Sequence, residues 1–69
     1  MFDSKHPELN RKCVVNLISG NAVEGVCTKV RPTYLIRAAI LHQLGEHDPV
    51  PLDGEISIDR INIDFVQLL

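Results

Sequence analysis

From Gly54 to Leu69 the chain alternates apolar and polar residues almost without interruption. Ile56, Ile58, Ile61, Ile63 and Phe65 are separated by Ser57, Asp59, Asn62 and Asp64. Side chains of an extended strand point alternately to opposite faces, so this pattern is that of a half-buried β hairpin rather than a helix. The pattern predicts strands over 55–59 and 61–68. It also concentrates apolar groups at the end: Phe65, Val66, Leu68 and Leu69 fall on both faces of the last strand. One face can fill a core. The other is expected to meet a partner, because contiguous exposed apolar surface marks an interface and an unpaired strand edge can accept another strand.

The same alternation recurs earlier. Cys13, Val15 and Leu17 interleave with Val14, Asn16 and Ile18, and Val23, Gly25 and Cys27 with Glu24, Val26 and Thr28. These are two strands joined at Ser19-Gly20-Asn21. A three-residue loop over these residues pairs Leu17 with Val23, Val15 with Gly25 and Cys13 with Cys27, which sets apolar beside apolar. A two-residue Gly20-Asn21 loop pairs Leu17 with Glu24 and does not. The longer loop is therefore expected, with Asn21 in the left-handed conformation. Arg31-Pro32-Thr33 is a break.

Residues 34–42 read either as a strand or as a helix capped by Thr33 and ended by Gly45. The all-β context favours the strand. Residues 45–54 hold Pro49, Pro51, Gly45 and Gly54 and read as a loop. Residues 1–11 form a polar lead-in with one helical turn over 8–11, and residues 12–69 form the domain. The expectation is an all-β fold: a small five-stranded SH3-like or Sm-like barrel.

Size and charge narrow the rest. With 69 residues the chain has one small core, and domains of this size usually draw stability from disulfides, a metal or association. No apolar run approaches the roughly 20 residues of a bilayer-spanning helix, and the first residues lack the apolar stretch of a signal peptide. The expectation is a cytoplasmic chain, or one assembled into a virion, with no membrane association. Net charge is −2, against the basic excess usual for nucleic-acid binders. The charge is divided: residues 1–45 carry six Lys and Arg against three acids, and residues 46–69 carry Arg60 against six acids. Such polarity can steer copies together head to tail.

Catalytic and metal chemistry find no support. Cys13 and Cys27 face inward and read as reduced core thiols, a disulfide being the alternative. His6, His42 and His47 do not combine with the cysteines at zinc-like spacing. Glu46 and Asp48 sit in a proline-rich loop, where solvated charges are the ordinary case. No enzyme activity, cofactor or metal is expected.

The order of residues resembles the Sm-like family of small bent barrels, which form rings and often bind RNA. Val15, Leu17, Gly20, Gly25, Cys27 and Val30 fall at the spacings of its first motif; Ile56, Ile58 and Ile63 match the second, continued by Phe65 and Val66. The resemblance implies a five-stranded barrel and ring-type association. At the family's base-and-phosphate positions this chain carries Arg31, Leu35 and Asp59-Arg60 instead of the family's Asp, Asn and Arg-Gly, so the pocket is absent. The ending, Val50 to Ile56 and Asn62 to Leu69, also looks like short proteins of actinobacterial bacteriophages, which implies a head or tail component.

The partner surface is accordingly expected at Ile61, Ile63, Phe65, Val66, Leu68 and Leu69, with Leu35 and Leu41 as a second outer apolar face. The partners expected are further copies of the chain or other subunits of a larger assembly. The rival expectation is nucleic-acid contact through Arg31, Tyr34, Arg37 and Arg60, where an aromatic ring beside cations could stack a base.

Overall fold

A computed structural model describes residues 7–30, 33–45 and 47–69. The chain is all-β. Its elements are β1 (Lys12–Leu17), β2 (Ala22–Lys29), β3 (Thr33–His42), β4 (Val50–Pro51), β5 (Glu55–Asp59), a 3-10 turn η1 (Arg60–Asn62) and β6 (Ile63–Leu68). All pairings are antiparallel, in the order β4-β3-β2-β1-β6, with β5 also on β3. The sheet wraps a core but does not close, since β5 and β6 do not pair.

Residues 34–42 lie in a strand, as the all-β context favours. Residues 7–10 make turns rather than a helical turn. The breaker-dense loop contributes a sixth, two-residue strand, Val50 and Pro51 pairing with Leu41 and Ile40. The final strand begins at Ile63 rather than Ile61, because Asp59 caps a 3-10 turn by accepting from the Ile61 amide at 3.3 Å.

The first hairpin has a three-residue loop, placed one residue earlier than expected. The Leu17 amide donates to Asn21 O at 2.9 Å, and Gly20, at φ 98°, takes the left-handed position. Glycine bears that conformation without steric cost, so it displaces Asn21 from the role. Moving the loop by one residue moves the register by two, which keeps every side chain on its expected face. Val15 opposes Val23, and Cys13 opposes Gly25 instead of Cys27.

β3 is creased. Tyr34 and Ile36 point into the core, then Ala38 adopts φ 54°, and Ala39 resumes the inward direction. The first half of β3 pairs with β5 and the second with β4. Gly25 lies opposite the crease: a Cβ there would stand 2.5 Å from Ile36 Cγ2 and 2.8 Å from Arg37 O. The two strands meet this closely only because position 25 has no side chain.

The core comprises Cys13, Val15, Val23, Cys27, Val30, Tyr34, Ile36, Ala39 and Ile58, with Leu17, Leu41, Leu52, Ile56, Ile63 and Val66 packed against it. One end is covered by the lead-in. The Asn10 amide donates to Cys27 O, and Glu8, itself buried, accepts from Tyr34 Oη at 2.6 Å. Burial and this bond to a carboxylate push the Tyr34 phenol up to about 12.

On the outer face Lys12, Glu24 and His42 form a row across three strands. Lys12 Nζ lies 3.4 Å from Glu24 Oε2, and His42 Nε2 lies 3.0 Å from Glu24 Oε1. Hydrogen bonds from His42 and Lys12 hold the Glu24 carboxyl below its ordinary 4.5. A lowered folded-state pKa stabilises the fold above the ordinary carboxylate range, and that contribution disappears as pH falls through the lowered value. Glu24→Gln is therefore expected to unfold at a lower urea midpoint than the parent at neutral pH, with the gap closing as the solution is acidified. Equal gaps at pH 7 and pH 3 would refute this role. Lys12 is exposed and Glu24 and His42 are half-buried at the surface, so solvent screening keeps the effect small.

Candidate interaction edge

The open sheet leaves strand edges, and the residues on them differ in kind. The β4 edge carries Pro49 and Pro51, and proline withholds the amide that pairing needs. The outward side chains of β5 are Glu55, Ser57 and Asp59, and charges on an edge discourage association. At the start of β6, Asp64 sits at a register shift, between Ile63 opposite Leu17 and Phe65 opposite Asn16. Beyond it, Phe65 to Leu69 contains no charge, no proline and no bulge.

Hydrogen-bond parity fixes which backbone groups of that stretch are available. The Leu69 amide donates to Lys12 O at 3.1 Å. Antiparallel strands alternate bonded and non-bonded pairs, so Phe65, Gln67 and Leu69 direct their backbone groups toward β1. Val66 and Leu68 direct theirs outward, to the unpaired side. Two side-chain contacts hold β6 straight on β1: Asn16 Nδ2 donates to Gln67 Oε1 at 3.2 Å, and Arg11 reaches Leu69 O at 3.4 Å.

The expected interface residues divide by position. Ile61, Phe65, Leu68 and Leu69 are 78%, 52%, 40% and 60% exposed, a concentration of accessible apolar side chains around one edge. Ile63 and Val66 instead pack against the core. Leu35 and Leu41 do not share an outer face. Leu35 lies on the outer side, between the inward Tyr34 and Ile36, whereas the crease at Ala38 turns Leu41 onto the core. Ile18 and Leu44, both 67% exposed, are apolar positions that pattern reading did not single out. Leu44 is tethered by its amide to Asn21 Oδ1 at 2.8 Å.

Of the residues considered for nucleic acid, Tyr34 has its ring in the core and its hydroxyl on Glu8, so no ring face is offered to a base. Arg37 is exposed on β3 opposite Glu55. Arg60 is exposed on η1. Arg31 lies outside the described residues. The Glu8–Tyr34 pair joins positions 26 residues apart and left no periodic signal in the sequence.

Cys13 and Cys27 are fully buried free thiols and diagonal neighbours on adjacent strands. Burial raises both, Cys27 to about 11, which leaves little thiolate near neutral pH and hence little reactivity. Among the described residues no group of three or more His, Cys, Asp or Glu is placed to hold a metal. No helix among them is long and apolar enough to cross a membrane. A cleft of about 280 Å³ lies where the first hairpin meets β5 and η1, floored by Leu17, Ile18 and Ile58 and rimmed by Ser57, Asp59 and Asn62. It lies just under the lower end of the size range of small-molecule sites.

Compared with known proteins, the chain matches no family model and no curated protein sequence.

Proposed function

We propose that this chain is a non-catalytic assembly module built on a small SH3-like or Sm-like barrel, which self-associates or docks into a larger complex through the free edge of β6. The observation that carries this reading is the run from Phe65 to Leu69, where outward backbone groups and exposed apolar side chains occur together without an edge-blocking residue. Strand addition needs both: main-chain bonds for affinity and side chains for specificity. The barrel assignment draws on the strand order, with β3 shared between β2 and β5, and on the 3-10 turn that leads into the final strand. A subunit of a bacteriophage head or tail is a role of this kind.

An RNA-binding ring is the rival reading. Leu35 offers no hydrogen bond to a base, and Tyr34 is enclosed. Labelled RNA is expected to remain unbound even at low salt, where phosphate contacts are strongest.

Phe65→Glu tests the module directly. Light scattering is expected to show the parent as a defined oligomer, or as part of a co-purifying complex, and the variant as a free monomer. The monomer should keep the parent's circular dichroism spectrum, because a half-exposed side chain itself contributes within about 0.5 kcal/mol, while its urea midpoint falls by what association contributed. An unchanged assembly in Phe65→Glu refutes the assignment of β6.

A further inference from the structure

We propose that the partner on β6 is a second copy of this chain, related by a two-fold axis through Gln67, so that Phe65–Leu69 pairs antiparallel with itself. The inference rests on the assembly reading above and adds the occupant, the symmetry and the register.

The occupant follows from the edges. Prolines guard β4, and Glu55 and Asp59 guard β5; the stretch after Asp64 is unguarded. Guarded edges resist pairing. Two copies that meet through this edge, the one unguarded edge among the described residues, must present the same patch to each other, which is the isologous contact of a two-fold dimer.

The register follows from side chains and hydrogen-bond parity together. With Gln67 opposite Gln67 of the second copy, Val66 opposes Leu68 and Phe65 opposes Leu69. Apolar then meets apolar on both faces over Phe65–Leu69. Moving the axis to Val66 sets Asp64 against Leu68 and Phe65 against Gln67. Moving it to Phe65 sets Asp64 against Val66. Of these three registers, only the first keeps Asp64 from facing an apolar residue of this stretch. It also satisfies the backbone, since the outward groups of Val66 exchange both bonds with those of Leu68 on the second copy. The carboxamide of Gln67 accepts from Asn16 and can donate its own NH2 group across the axis.

Gln67 then occupies a non-hydrogen-bonded pair, where Cα atoms stand about 4.5 Å apart. A disulfide bridges that separation. Under mild oxidation, Gln67→Cys is expected to form a reducible covalent dimer in high yield on non-reducing electrophoresis. Ser57→Cys on β5, treated alike, should stay uncrosslinked. The native thiols are buried and do not compete. As a second measurement, Gln67→Lys opposes two cations and is expected to weaken the dimer roughly fivefold or more in light scattering, with an unchanged circular dichroism spectrum. If the parent assembles while Gln67→Cys fails to cross-link and Gln67→Lys leaves association unchanged, the two-fold pairing is overturned and the assembly reading stands. If the parent is a monomer at every concentration and Gln67→Cys does not cross-link, the pairing is overturned and self-association goes with it.

Discussion

Gly25→Ala should bring the folded state close to its limit. The new methyl would stand 2.5 Å from Ile36 Cγ2, 2.8 Å from Arg37 O and 3.2 Å from Ala39 Cα. The Ile36 methyl can turn aside. The carbonyl and the Cα belong to β3 and can retreat only by opening its pairing with β2. Overpacking of this kind costs about 3 kcal/mol. A chain of 69 residues holds roughly 3–10 kcal/mol in total. With a urea slope near 1 kcal/mol/M for a small protein, the midpoint should fall by roughly 3 M, or the variant should be unfolded without denaturant. A midpoint within roughly 0.5 M of the parent would mean that β2 and β3 are not pressed together at the crease.

The second large effect comes from the opposite change at the same place. Ile36 is fully buried and is the largest of the completely enclosed side chains among the described residues. Ile36→Ala removes three carbons and leaves a space bounded by neighbours held in strands. The expected loss is about 2–5 kcal/mol, and Ile36→Val should lose only about 1 kcal/mol. Urea denaturation of the pair separates packing from chain effects, since both variants keep the backbone pairing. A loss in Ile36→Ala no larger than that in Ile36→Val would place Ile36 outside the core.

Much of this architecture was legible in the residues, for definable reasons. Alternation of apolar side chains assigned the inward and outward faces of β1 and β2, and those faces hold although the turn moved. A hairpin register that shifts by two preserves facing, so the pattern could not report the shift; Gly20 and Asn21 both suit the left-handed position, and glycine's lower steric cost decided it. The pattern was silent on β4, because prolines read as breakers and yet can sit at an edge where no donor is required. It extended the last strand to Ile61, because one 3-10 turn interrupts alternation only slightly.

The candidate edge was half legible. Phe65, Leu68 and Leu69 stood out because both faces of the final strand were apolar, and they are exposed. Leu41 misled because a strand's period carries through a crease that only Ala38 marks, and alanine gives no sign of a positive φ. Tyr34 misled for another reason. An aromatic near cations in sequence suggested stacking, while its partner Glu8 lay 26 residues away, where no local rule connects the two.

The crease at Ala38 has a wider meaning. A left-handed alanine is disfavoured by about 1–2 kcal/mol relative to ordinary backbone, and the chain keeps it. A flat ribbon of this length would have wet surfaces on both sides and no interior. By bending at one residue, a single ten-residue strand acts as floor to one neighbour and wall to another, so one sheet furnishes an inside without recruiting a second. Ala38→Gly would relax the hinge, but it would also free the unfolded chain. The shape of the container, more than any side chain within it, is what a protein this short has to secure first.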